Sequence, residues 1–324
     1  MIAVSVACTV LNEVDDIDAL LESLMRQSLA PAEVVIVDGG SIDGTWERLQ
    51  AAQGKYANLI AIRDESCNLR RCAGPIARGR NIAISATRSE VVACADAGCT
   101  YDPDWLRNLT APIFVGESDY SVGGAFIDTA HSSVWDVAAA PFMGVKLDRA
   151  ANTKSCTARS VAFRKELWLR AGGFPENIFL GEDTVFDFKV RELVTPAFAT
   201  HAKALYQPRH TFGSALRQMI GYSVTDGVLG RRTARLWRNI ARCLAEILAV
   251  LVLALFHWAV PLMCVLALEI YFAFRLDWSE IRKVPLPTMA ARLGFSLMIP
   301  WVVAWYQTTG AITKKNLPNR QNFI

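Results

Sequence analysis

Residues 33–45 read Glu-Val-Val-Ile-Val-Asp-Gly-Gly-Ser-Ile-Asp-Gly-Thr, and no other stretch narrows the fold as much. Residues 34–37 are a short, apolar, β-branched run, suited to a strand buried on both faces. The run stops at Asp38, and Gly39 and Gly40 let the backbone turn sharply. Ser41 or Asp43 can then cap a helix whose inner face uses Trp46 and Leu49. A carboxylate thus sits at the carboxyl end of a parallel-type strand, where open α/β sheets bind their ligands. A plain strand-to-helix turn with an aspartate cap explains the same residues, and this stretch alone leaves both readings open.

The rest of the first 230 residues repeats the pattern. Residues 2–10 read as the first strand, with Asn12 and Glu13 at its carboxyl end. Ile17, Leu20, Leu21 and Leu24 have helical spacing, and Asp15 and Asp16 favour that helix's N-terminus. Residues 59–62 make a third strand. Pro75 opens a helix to about Thr87, carrying Arg78, Arg80 and Asn81. Residues 90–95 form a strand that stops at Asp96, and Asp102 with Pro103 starts the next helix. This alternation implies right-handed βαβ units and a mainly parallel sheet flanked by helices, with Asp38 and Asp96 on its ligand edge. Further on, 120–127 and 158–163 read as strands, the second followed by a helix to Arg170, and 172–176 as a loop. A helix begins at Gly181-Glu182-Asp183, with Val185, Phe188 and Leu193 as its apolar positions. Acids are comfortable at a helix N-terminus, so Glu182 and Asp183 gain no role from position alone. Arg78 reads as part of a solvated helix face, and Trp135, Trp168 and Phe174 read as core.

A net charge of +3 gives no argument for nucleic acid. The eight cysteines lack paired metal-type spacing and read as small buried hydrophobes in a reducing compartment. No basic region precedes the first strand, so no secretory signal is expected. Neither a Gly-x-Gly-x-x-Gly fingerprint nor a phosphate-binding Gly-x-x-x-x-Gly-Lys loop is found, which weighs against dehydrogenase and P-loop chemistry.

Several short motifs occur in order. They are Leu11-Asn12-Glu13, Val37-Asp38-Gly39-Gly40-Ser41 with Asp43-Gly44-Thr45, Gly79-Arg80-Asn81-Ile82-Ala83 and Asp96-Ala97-Gly98. Gly172-Gly173-Phe174-Pro175-Glu176, Glu182-Asp183, and Arg217-Gln218 with Tyr222 and Asp226-Gly227 follow. As an ordered set they resemble the family 2 glycosyltransferases with the nucleotide-sugar-binding GT-A fold. The late motifs are most similar to bacterial exopolysaccharide enzymes of the succinoglycan glucosyltransferase type. The resemblance implies sugar transfer from a nucleotide diphosphate, UDP foremost, with inversion at the anomeric carbon. In it, Asp38 recognises the nucleotide base, Glu13 lies beside the nucleoside, Arg80 lies near the nucleotide or diphosphate, and Arg209 reaches the diphosphate or the metal. Asp96 stands where the family holds a divalent metal, alone with waters and diphosphate oxygens for Mg²⁺, or with His210 as a further ligand for Mn²⁺. Gly173, Phe174 and Glu176 shape the acceptor side, and Asp183 is the catalytic base with Glu182 beside it. The sequence departs from the family at Gly98, where a second metal-binding acid is usual. That departure supports an alternative reading, a catalytically weak sugar-nucleotide-binding scaffold of a polysaccharide assembly complex.

Three parts are expected: a catalytic domain over 1–230, a basic segment over 231–242, and membrane-associated helices over 243–324. Residues 243–274 contain only Glu246, His257 and Glu269 as strongly polar groups. A straight helix of that length would span roughly 48 Å, more than the ~30 Å of hydrocarbon. Basic flanks on both sides favour a hairpin broken near His257 and Pro261, and a single tilted helix competes with it. Residues 293–306 are a third pass or an interfacial helix. The expected setting is the cytoplasmic face of the inner membrane, with a lipid-linked or polysaccharide acceptor.

Overall fold

The computed structural model describes residues 3–127, 132–143, 157–207, 211–230, 233–255, 266 and 285–313. The chain divides into two compact units, Met1–Asp128 with Val145–Pro208, and Thr129–Gly144 with Arg209–Ile324.

The first unit is built on one sheet. Its strands are β1 (Val4–Val10), β2 (Glu33–Asp38), β3 (Leu59–Arg63), β4 (Val91–Cys94), β5 (Cys99–Tyr101), β6 (Tyr120–Ile127), β7 (Val161–Arg164) and β8 (Ala197–Tyr206). Their order is β3-β2-β1-β4-β7-β6-β8-β5. The first four in that order are parallel, as expected from their unbroken β-branched runs. From β7 onward the sheet turns mixed, with β7 antiparallel to both β4 and β6, β5 antiparallel to β8, and β6 parallel to β8.

Strand periodicity sorts the core into two layers. Val4, Val6, Cys8 and Val10 of β1 face the side covered by α1 (Ile17–Met25) and α4 (Trp105–Phe114). Ala7 and Val35 face the opposite layer, with α3 (Pro75–Ala86), α6 (Lys165–Arg170) and α7 (Glu182–Arg191). α2 (Thr45–Lys55) follows β2 and puts Leu49 in the first layer.

Two local expectations are corrected. α4 starts at Trp105 rather than Pro103, because the Asp102 carbonyl accepts the Trp105 N–H (2.9 Å) and closes a turn first. α7 buries Phe186, Asp187 and Val190, whereas Phe188 is half exposed. Its inward stripe is therefore phased differently from Val185, Phe188 and Leu193.

The second unit is helical: α5 (Val134–Met143), α8 (Phe212–Val228), α9 (Thr233–Leu255) and α10 (Leu286–Thr313). α10 packs on the other three. It crosses α8 at glycines: a Cβ on Gly227 would lie 2.0 Å from the Gln307 carbonyl oxygen, and one on Gly310 2.4 Å from that of Val224. The packing division therefore falls before α8, earlier in the chain than the compositional one near residue 230.

The interior of this unit holds polar side chains beside an apolar cluster that includes Phe295, Ile299 and Val303. The buried positions of α10 include Thr288, Arg292, Ser296 and Gln307. Arg242 of α9 donates to Ser296 Oγ (2.9 Å) and pairs with Glu246 (3.4 Å), which accepts from Trp301 Nε1 (2.6 Å). Trp237, Leu244, Leu248, Leu251, Trp305 and Ile312 point outward, exposed. Among the described residues, α10 alone is long and apolar enough to cross a membrane. The stretch expected as a third pass or an interfacial helix, 293–306, lies inside it. Of the expected hairpin, 243–255 belongs to α9, and its remainder, Leu266 apart, lies outside the described residues.

Candidate active site

The site gathers at the carboxyl ends of β1, β2 and β4. Asp38 ends β2 and is fully buried. Its Oδ1 accepts the N–H groups of Gly40 and Ser41 (2.8 Å each), while Oδ2 is sealed without a hydrogen-bond partner. Gly39 is required here, since a Cβ would lie 2.5 Å from the Cys67 carbonyl oxygen. This turn is laced to the one after β1. Ser41 Oγ accepts the Asn12 N–H (2.8 Å), Thr45 Oγ1 that of Glu13 (2.8 Å), and Asp43 Oδ2 that of Val14 (3.1 Å). Asn12 adopts φ 56° and its Oδ1 accepts from Ile42 (3.0 Å). Slight burial raises the Asp43 carboxyl, but the hydrogen bonds from Thr45 and Val14 outweigh it and hold the group below its ordinary range. Glu13 is thus fixed beside the β2 turn through its backbone.

Arg80 is the centre of the arrangement. Gly79 lets α3 press on β1, because a Cβ there would sit 2.1 Å from Thr9 Oγ1. The buried Arg80 guanidinium donates to Asp96 Oδ1 (2.5 Å) and to Glu182, and lies 5.6 Å over the Phe174 ring. Arg159 approaches Asp96 from the other side, its Nε 3.9 Å from Oδ2, and stacks 4.1 Å over Tyr206. Glu182 opens α7 after Gly181, which takes φ 79°. Burial raises the Glu182 carboxyl above its ordinary range; Arg80 opposes this and neighbouring Asp183 adds to it. Asp183 is partly open, with Oδ2 accepting the Ala158 N–H (3.3 Å) and Oδ1 that of Thr184 (2.6 Å).

Asn81 fixes the neighbouring loop. Its Oδ1 accepts the Phe174 N–H (2.9 Å) and Trp168 Nε1 (3.2 Å). Its Nδ2 donates to the Phe174 carbonyl (2.8 Å) and to Glu176 Oε1 (2.9 Å). Gly173 at φ 70° closes the loop, and Phe174 stacks on Phe186 at 4.2 Å. Arg78, read from sequence as solvated, instead donates to Ser66 Oγ (2.7 Å) and pairs with Glu176 (3.2 Å).

The structure therefore brings Arg80, Asp96, Glu182 and Asp183 together, and binds Glu176, Phe174 and Gly173 to the helix that carries Arg80. Arg209 and His210 lie outside the described residues. Sequence reasoning missed Arg159, for which no local signal exists, and the bracing role of Asn81, whose motif it had quoted.

Among the described residues the donor set does not fit a divalent ion. Asp96 supplies one carboxylate, and both of its oxygens face guanidinium groups. Position 98 is Gly98, and among the described residues no three His, Cys, Asp or Glu side chains gather to hold a metal.

Comparison with known proteins places these features. The profile of the family described as "Glycosyl transferase family 2" matches residues 5–166. The chain is 26% identical over 227 residues to the succinoglycan biosynthesis protein ExoA of Rhizobium meliloti, covering 65% of each chain. It is also 26% identical over 233 residues to the glycosyltransferase AglE of Haloferax volcanii, covering 66% of this chain and 70% of that one. The chain thus spans just under two thirds of the length of the first of these relatives. Among solved structures, S. aureus TarS 1–349 in complex with UDP-GlcNAc is similar in fold. It superposes with a TM-score of 0.51 at 17% identity, over 96% of this chain and 91% of that one.

Proposed function

Because the chain belongs to the family 2 glycosyltransferases, we propose that it moves a sugar from a nucleotide diphosphate to an acceptor hydroxyl by a single inverting displacement. The observation that carries this reading is the meeting of Arg80, Asp96, Glu182 and Asp183, from α3, the β4 edge and α7, at the ligand edge of the sheet. In the displacement, the acceptor oxygen attacks the anomeric carbon and gives its proton to Asp183. The glycosidic bond to the diphosphate breaks, and its electron pair leaves with the diphosphate. Glu182, tied to Arg80, fixes the first turn of α7 and so the position of Asp183. Asp38 acts through the β2 turn it braces, which with Glu13 forms the nucleoside end. The Asn81-held loop with Gly173, Phe174 and Glu176 forms the acceptor side.

A UDP-sugar is the donor best supported, from the family resemblance and from the fold neighbour crystallised with UDP-GlcNAc. The ExoA similarity supports a growing polysaccharide as product. Membrane association is supported by the second unit, where Arg292, Ser296 and Gln307 are buried while Trp237, Leu244, Leu248, Leu251 and Trp305 are exposed, as in a lipid solvent. The basic residues Arg235, Arg238, Lys314 and Lys315 support a cytoplasmic setting for the catalytic unit.

The test is a screen of UDP- and GDP-sugars for donor turnover by the full chain in detergent, with membrane lipid extract as acceptor. Turnover of one donor that is lost in Asp183→Asn, with donor binding retained, is the expected result. Equal loss of binding and turnover would count against the base role.

A further inference from the structure

We infer that Arg159, across Asp96 from Arg80, takes the charge-neutralising place that a divalent ion holds in the family, so that donor binding needs no metal. This rests on the transferase reading above.

Three observations converge on it. The acid usual at position 98 is a glycine at φ 69°. The remaining acid, Asp96, has one oxygen bonded to Arg80 and the other 3.9 Å from Arg159. A dication at this carboxylate would be repelled by both guanidinium groups, whereas a diphosphate would be attracted by both. Arg159 is also held in place. Its guanidinium lies over Tyr206, and its carbonyl accepts the Tyr101 hydroxyl (3.1 Å), whose oxygen in turn accepts the Asp96 N–H (2.9 Å). The next residue, Ser160, is fixed by Trp105 Nε1 (2.9 Å). Asp96 and Arg159 keep 19% and 18% of their side chains open, whereas Arg80 is sealed. Arg159 is therefore the cation that an incoming diphosphate meets, and Arg80 sets the carboxylate between them.

The chemistry balances without a further reactant. As the anomeric carbon passes to the acceptor oxygen, the diphosphate takes the electron pair and one more negative charge, and the acceptor proton goes to Asp183. A planar guanidinium can answer that charge with two parallel N–H donors.

The test is calorimetric titration of UDP and of GDP into the full chain in detergent, first with EDTA and then with added Mg²⁺ or Mn²⁺. One nucleotide is expected to bind in EDTA with an affinity that either ion changes less than threefold. Arg159→Ala should weaken that binding at least tenfold, and Arg159→Lys by less. Binding that appears only after Mg²⁺ or Mn²⁺ is added overturns the inference and leaves the transferase reading standing. So does wild-type affinity in the folded Arg159→Ala variant. If neither nucleotide binds in either condition, the transferase reading fails and this inference with it.

Discussion

Asn81→Asp replaces one atom at the hinge of the acceptor-side loop. The wild-type amide makes four bonds, two as acceptor and two as donor. The carboxylate keeps the two it accepts, from Phe174 N–H and Trp168 Nε1. It loses the two donated to the Phe174 carbonyl and to Glu176. Two such bonds contribute about 1 kcal/mol each, and leaving the Phe174 carbonyl unpaired costs about 1–3 kcal/mol more. The loss is then about 3–5 kcal/mol, and the new charge also faces Glu176 Oε1, 2.9 Å from the atom replaced. Denaturant unfolding should show this as a lowered midpoint, with a raised acceptor KM where the variant remains folded. The double variant Asn81→Asp/Glu176→Gln separates the causes. Its new amide donates back to the carboxylate and removes the repulsion, so it should regain about 1–2 kcal/mol. The Arg78 pair it gives up is half exposed and is worth under about 1 kcal/mol. A double variant no more stable than Asn81→Asp, or a single variant within about 1 kcal/mol of wild type, would refute the loop-clamp argument.

Three further outcomes follow from the same geometry. The Glu182 carboxyl is raised by burial, so the folded chain holds that proton more tightly than the unfolded chain. Its contribution is present below the ordinary glutamate value of about 4.3 and is lost as pH rises through the folded value. The stability of wild type minus Glu182→Gln should thus fall with rising pH, and a difference that grows would contradict it. Gly79→Ala drives a Cβ into Thr9 and should lower stability by about 1–3 kcal/mol, less in a Thr9→Ala background; equal losses in both backgrounds would exclude that contact as the cause. Burial pushes the Cys94 and Cys99 thiols up to about 12, so iodoacetamide at pH 8 should label the half-buried Cys72 well before either. Simultaneous labelling by mass spectrometry would show the β4–β5 corner to be open.

The parallel half of the sheet was readable because each of its strands is a compact apolar run ending at a turn, and β2 is buried throughout. β8 was not, because it mixes buried alanines with exposed Phe198 and His201 along a strand with one wet face. The phase of α7 was misread for a specific reason. Asp187 is buried, accepting from the Tyr120 hydroxyl (2.9 Å) and Arg191 (2.8 Å), so an acid occupies the stripe where only apolar residues were sought. The acids of the candidate site were named from motif order. Their partners were not: Arg78 meets Glu176 ninety-eight positions away, and Arg159 reaches Asp96 only because β7 runs antiparallel to β4. The second unit shows the limit of composition. Its apolar content suggested lipid, but only packing reveals that α9 turns Arg242 and Glu246 inward and Leu244, Leu248 and Leu251 outward.

The origin of α5 bears on how the chain can be cut. That helix is spliced from the connection between β6 and β7, yet it belongs to the helical unit, so the backbone passes between the two units at three places rather than one. A single proteolytic nick therefore cannot release either unit intact. Truncation after Pro208, the obvious way to obtain a detergent-free catalytic fragment, would leave α5 behind with Ala138 and Ala139 stripped of Ala215 and Phe295. A soluble version needs 129–144 replaced by a short polar bridge as well. The separation of the two units is then an exercise in re-routing the chain, not shortening it.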